Sequence, residues 1–304
     1  MKSTKIIVRV KGGLGNQLFC YAAARRLALV NNAELVIDDV TGFIRDRQYR
    51  RKYALDTFSI SARRATPRER KEPFERYRRG IAKFIAKQQP FHERNYIEQE
   101  GTDFDPRLLE FRLKGTACID GLWQSEKYFK DVEAVIRRDL RIIPPNDAAN
   151  REMAEKVRGC NSICIHVRWY GKPDAVSGDN IERSYYSRAV QYIIDKVTKP
   201  HFFLFTNDPK ASKSMLALPE EMITRIDYNS GDEHAYADLW LMSQCKHFII
   251  ADSTFSWWGA WLSNSESKFV IVPETSLTGD TMWNFPGLIP DKWVLVSSET
   301  IICR

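Results

Sequence analysis

The chain predicts an α/β protein made of two parallel-sheet units, and three observations carry that prediction. Its 304 residues exceed one average domain and suit two. The opening reads strand KIIVRV, helix LFCYAAARRLALVNN, strand ELVIDD, and a helix between two strands sets them parallel. After Ile142-Ile143-Pro144-Pro145-Asn146-Asp147, the stretch that reads as a linker, the same alternation begins again. The expected organisation is a first unit over 1–145 and a second over 146–304, two Rossmann-like α/β domains facing across a cleft.

In the first unit, KIIVRV runs into Lys11-Gly12-Gly13-Leu14-Gly15-Asn16-Gln17. Glycines at 12, 13 and 15 let backbone approach a ligand. The spacing is not G-x-G-x-x-G, and Asp38 and Asp39 close the very next strand, which argues against a simple dinucleotide site. Residues 43–100 are charged and aromatic with few strand signals and read as helices and loops. GTACIDGLWQSEKYF supplies a strand and a turn, and VEAVIRRDLRI an amphipathic helix.

The second unit reads helix AANREMAEKVRG, strand NSICIHVRW, helix SYYSRAVQYIIDKVT, strand HFFLFTND, strand MITRIDY, helix AYADLWLMSQC, strand KHFIIAD, helix STFSWWGAWLSN, strand KFVIVP. Five strands and four helices in this order predict a doubly wound parallel sheet.

Composition narrows the class. Apolar and charged fractions of 43% and 28% are those of a soluble globular protein. No apolar run reaches membrane-spanning length, and MKSTKIIVRV lacks the apolar core of a signal peptide. Cys20, Cys118, Cys160, Cys164, Cys245 and Cys303 show no C-x-x-C spacing, and the five histidines show no ligand motif. Reduced thiols in a cytoplasmic protein without a metal are expected. The net charge of +7 is concentrated: residues 61–94 hold eleven Lys/Arg and four Asp/Glu, which equals the whole excess. GIAKFIAKQ within it places Ile81, Phe84 and Ile85 on one helical face. A basic amphipathic stretch suits an anionic membrane surface or a polyanion, and a solvated charged face is the plainer reading. No nucleic-acid motif accompanies the charge, so nucleic acid is not an expected partner.

Residues 247–262, HFIIADSTFSWWGAWL, are the most informative stretch. A buried strand ends in the N-capping residues Asp252-Ser253-Thr254 and an aromatic helix follows. The first N–H groups of a helix lack partners and the dipole is positive there, so the turn could seat a diphosphate; on the local pattern alone an ordinary capped helix is the plainer reading. Ligands of doubly wound sheets bind beyond the carboxyl ends of strands. There stand His166 and Arg168, then Thr206, Asn207 and Asp208, with Asp238 near the start of its helix. Arginine matches phosphate oxygens, and a carboxylate can accept from the N1–H and 2-amino group of guanine. Each has a structural alternative: a core histidine, a turn, a first-turn acid favoured by the dipole. Trp257, Trp258 and Trp261 read as helix core.

KGGLGNQLFCYAAARRLA, DGLWQSEKYF, IHVRW and DLWLMSQCKHFIIADSTFSWWGAWL together resemble glycosyltransferase family 11, the α-1,2-fucosyltransferases, in family order from residue 6 to about 273. The resemblance implies a GT-B fold and inverting transfer of L-fucose from GDP-fucose to the 2-hydroxyl of a terminal galactose on an oligosaccharide such as O-antigen, without metal or other cofactor. By position, His166, Arg168, Asn207, Asp208, Asp238, Ser253, Thr254, Phe255, Ser256, Gly13, Gly15 and Asn16 would bind the donor. Arg168 and Asn16 would act at the reacting centre, with Glu126 a candidate base beside Asp38, Asp39 and Asp120. Gln17, Asp38, Trp123 and Gln124 would face the acceptor. One departure stands out: the family reads H-x-R-R-x-D, and here Trp169 and Tyr170 follow Arg168. The second arginine is missing and Asp174 is the nearest acid, with Lys172 a candidate replacement cation. The alternatives are a transferase of the same fold with another nucleotide sugar, and a non-catalytic glycan- or polyanion-binding protein.

Overall fold

The computed structural model describes residues 4–170, 181–212, 215–274 and 285–296, and the backbone of 301–303. Contacts divide the chain into one unit of Met1–Ile142 with Phe285–Leu288, and another of Ile143–Asn284 with Ile289–Arg304.

In the first unit, strands β1 (Lys5–Arg9) and β2 (Glu34–Asp38) flank helix α1 (Leu14–Val30) in sequence. Strand β5 (Thr116–Asp120) lies on the other side of β1. The sheet order is β3-β2-β1-β5-β4 and every pair is parallel. Two of these strands correct the expectation of helices and loops for 43–100. They are β3 (Arg63–Arg64) and β4 (Tyr96–Glu98), both sheet edges too short to show a period. That stretch also holds α2 (Glu75–Lys87), and α3 (Arg107–Glu110) and α4 (Glu133–Asp139) follow. Helix α1 is buried along most of its length because its residues are small or apolar on all sides, Ala22, Ala23, Ala24 and Ala28 among them.

The late segment Phe285–Leu288 packs in the first unit, which element alternation did not reveal. The Phe104 N–H donates to the Pro286 carbonyl (3.1 Å) and the Ser125 hydroxyl to the Gly287 carbonyl (2.6 Å). Gly287 has φ +94°, and a Cβ there would meet the Phe104 Cβ at 2.7 Å, so only glycine fits this turn.

The second unit runs α5 (Ala148–Arg158), β6 (Asn161–Val167), α6 (Arg183–Lys196), β7 (Pro200–Thr206), α7 (Pro209–Ser212), β8 (Ile223–Ile226), α8 (Ala235–Gln244), β9 (His247–Ile249), α9 (Thr254–Leu262) and β10 (Val270–Pro273). Two further strands, β11 (Val294–Val296) and β12 (Ile301–Cys303), extend the expected five to seven in the order β12-β11-β10-β9-β6-β7-β8. All pairs are parallel except β11 with β12. Ile163, Ile165 and Val167 of β6 join Tyr185, Tyr186 and Ile193 of α6 in one core. Trp257, Trp258 and Trp261 are buried in α9, as their helical spacing predicts, with Trp257 and Trp261 stacked 6.3 Å apart and Trp293 beside Trp257.

Candidate active site

The period of two along β6 sorts the residues that follow it. Ile163, Ile165 and Val167 face α6, and Trp169 continues the series on that core. Its indole N–H donates to the Ser212 hydroxyl (3.0 Å). Cys164, His166 and Arg168 belong to the opposite series. His166 is buried, its ring 5.8 Å from Phe255 at the start of α9. Burial, and then the Arg168 guanidinium, hold its pKa down to about 3, so the imidazole is neutral at physiological pH. Its Nδ1 is buried with no hydrogen-bond partner among the described residues. Trp169, directly after Arg168, therefore does not share a face with His166. Lys172 and Asp174 lie outside the described residues.

Asn207 and Tyr170 lock this corner. The Trp169 N–H donates to Asn207 Oδ1 (2.8 Å), and Asn207 Nδ2 donates to the Trp169 carbonyl (3.0 Å). Asn207 thus fixes the backbone beside Arg168 with both ends of its amide. Asp208 accepts from the Ala211 N–H (2.9 Å), starting α7. The Tyr170 hydroxyl donates to the Asp252 carbonyl (2.9 Å), which ties the end of β6 to the turn before α9, and the Arg168 guanidinium lies 5.6 Å from the Tyr170 ring centroid. The sequence showed Tyr170 only as part of the departure from the family motif and gave it no role, although its place two residues after Arg168 was a usable signal.

Ser253, not Asp252, is the N-cap of α9; its hydroxyl oxygen accepts from the Phe255 N–H (3.3 Å). The hydroxyl proton stays available, and a first-turn N–H has no intrahelical acceptor. Ser256 is buried and donates to the Ser253 carbonyl (3.3 Å), while Thr254 opens the helix. Asp238 sits in the first turn of α8, which packs on α9. Its pKa is raised to about 7 by burial, against the opposing donation from Asn229 Nδ2 (2.8 Å). Asn229 in turn exchanges amide hydrogen bonds with Asn150 (2.9 Å each way), and Asn150 meets the α5 N-cap Asp147. No local pattern marked Asn229, because its role joins Asp238, nine residues on, to Asn150, seventy-nine residues back.

The first-unit candidates divide. The Asn16 and Gln124 side chains are half-buried and joined, Gln124 Nε2 donating to Asn16 Oδ1 (2.8 Å). Gly13 is the N-cap of α1, and Gly15 and Asn16 are already helical rather than part of an open loop. Gln17 is buried and spends its amide on the Gly12 and Lys52 carbonyls and the Ala54 N–H. Asp38 accepts from the Val40 and Thr41 N–H groups and closes a turn. Trp123 is buried against Tyr128, its Nε1 without a partner among the described residues. Glu126 pairs with Lys130 (3.2 Å) and Asp39 with Arg64 (3.4 Å). Asp120 is buried among Lys11 (2.8 Å), Lys83 (3.1 Å), Arg9 (3.2 Å) and the Tyr96 hydroxyl (2.9 Å). Burial pushes its carboxyl up, but Lys11 and Arg9 more than reverse this and hold it well below the usual range. A carboxylate so engaged is a poor proton acceptor. Among the described residues, no three His, Cys, Asp or Glu side chains converge as a metal site, the five described cysteines are free, and no helix is long and apolar enough to cross a membrane.

Comparison with known proteins gives a family and a fold. The model of glycosyl transferase family 11 matches residues 5–279. Two Escherichia coli proteins are similar in sequence. An alpha-1,2-colitosyltransferase is 29% identical over 304 residues, covering 96% of this chain and 98% of its own. The O-antigen biosynthesis glycosyltransferase WbnK is 29% identical, covering 94% and 98%. Among solved structures, the NodZ alpha-1,6-fucosyltransferase soaked with GDP-fucose aligns over 86% of this chain and 93% of its own, with a TM-score of 0.52 and 18% identity. That likeness is one of fold, the GT-B type.

Proposed function

The chain belongs to glycosyl transferase family 11, and from that premise we propose that it transfers L-fucose from GDP-fucose to the 2-hydroxyl of a galactose-terminated oligosaccharide of the O-antigen kind, inverting the anomeric centre without a metal. The observation that carries the reading is the convergence of Arg168, a neutral buried His166 and the N-terminus of α9 at the carboxyl edge of β6 and β9. Arg168 and the first-turn N–H groups of α9 take the diphosphate. In its ionised form Asp238 accepts from guanine. An acceptor hydroxyl attacks from the face opposite GDP, and Arg168 meets the charge that grows on the departing phosphate.

One similar protein favours a second donor: it is a colitosyltransferase, and colitose lacks one hydroxyl of L-fucose. Both readings keep GDP as the leaving group. GDP release from GDP-fucose and GDP-colitose, measured over a panel of galactosides and with chelator, separates them. The expected outcome is turnover of GDP-fucose on a β-galactoside, unchanged by chelator. Preference for GDP-colitose moves the assignment to the second donor, and stabilisation by UDP or dTDP but not GDP overturns both.

A further inference from the structure

A surface helix ordinarily buries its apolar stripe; α2 leaves its stripe exposed and turns two of its cations inward. Toward the rest of the unit it turns Arg79, which donates to the Thr41 hydroxyl (2.8 Å), and Lys83, which pairs with Glu98 and Asp120. Toward solvent it turns an aromatic stripe. Phe74 at its N-cap, Tyr77, Ile81 and Phe84 are exposed by 74%, 74%, 47% and 68%, and their spacing of three and four residues puts them in one row.

The surroundings of the row are positive. Five of the six charged residues of α2 are cations. Beside it, under Ile81 and Ile85, opens a cavity of about 840 Å³ lined also by Arg68, Lys71 and Arg78. Those three enter no ion pair among the described residues. Protein partners of such a row would need matching acidic side chains around an apolar centre. A phospholipid surface offers both at once, with phosphates at the level of the cations and acyl carbons at the level of the rings.

We infer that α2 and the groove beside it dock the first unit on an anionic bilayer, with Tyr77, Ile81 and Phe84 entering the interface and Arg68, Lys71 and Arg78 meeting headgroup phosphates. The inference is independent of the transfer reaction, since neither donor nor acceptor enters its test. The full chain is sedimented with vesicles of phosphatidylcholine alone and with phosphatidylglycerol admixed, at low and high salt. Binding should need the anionic lipid and fall with salt. A membrane-facing cation contributes about 1 kcal/mol. Arg68→Glu with Arg78→Glu should therefore lower the partition coefficient roughly 30-fold or more, and Tyr77→Ser with Phe84→Ser at least about tenfold. All four residues are exposed, so neither melting temperature nor turnover on a soluble acceptor should move. Equal binding to both vesicle types, or binding that survives both double variants, overturns the inference. So does a dimer in sedimentation velocity that Tyr77→Ser with Phe84→Ser splits while vesicles are ignored.

Discussion

Two neighbouring side chains, Arg168 and Trp169, show what one step of backbone decides. The alternation of β6 sends Trp169 into the α6 core and leaves Arg168 with His166. Arg168→Ala should reduce turnover by about 10²–10³-fold, the effect of losing one transition-state donor. The melting temperature should hold, because Arg168 is only partly buried and, among the described residues, its guanidinium lies over the Tyr170 ring without an ion pair. Steady-state rates beside thermal melts check this, and near wild-type turnover would remove Arg168 from the chemistry. The motif and its cation were legible in the sequence. What Trp169 meets was not, since its hydrogen-bond partner Ser212 lies forty-three residues on.

Elements set the distances between such residues. Helix α9 lies close on α8 because Gly259 presents no side chain; a Cβ there would meet the Met242 Cβ at 2.9 Å. Position 242 is buried, so the helices must separate to admit a methyl group. Gly259→Ala should destabilise the second unit by about 1–3 kcal/mol and weaken GDP binding, because Asp238 and the Ser253 turn sit at the two helix starts. Denaturant unfolding and calorimetric titration measure both effects; unchanged stability would mean that the α8–α9 contact can relax. The sequence marked both helices by their apolar runs, and nothing local assigned Gly259 its packing role.

Across the whole molecule, His166 and Asp238 pull stability in opposite directions with pH. The His166 pKa is lowered to about 3 in the fold, so below pH 6.5 the unfolded chain binds the extra proton and stability rises with pH. The Asp238 pKa is raised to about 7, so above roughly pH 4 the folded chain holds the extra proton and stability falls as pH rises toward 7. Between roughly pH 4 and 6.5 the two oppose each other. Asp238→Asn removes the falling contribution. The variant should gain stability relative to wild type as pH rises through this window, as urea unfolding at its two ends will show. A constant difference between the two proteins would place the carboxyl in an environment other than the buried one beside Asn229.

By itself the sequence determined the α/β class, the order of most of the longer elements and the turn that caps α9. Burial of a parallel strand is written locally as an unbroken apolar run, and a cap needs only its own turn. Tertiary structure alone decided which of those ends meet. β9 lies between β6 and β10, and this brings the Ser253 turn to Arg168. Asn229 reaches Asp238 across a loop, and Gln17, Asp38 and Trp123 are drawn into the scaffold. The outward face of α2 follows from the same rule. Arg79 finds Thr41, and Lys83 finds Glu98 and Asp120 on neighbouring strands, so this face turns in and the row of Tyr77, Ile81 and Phe84 turns out. Helical periodicity fixes which residues share a face, and only the partners supplied by distant segments fix which face is buried.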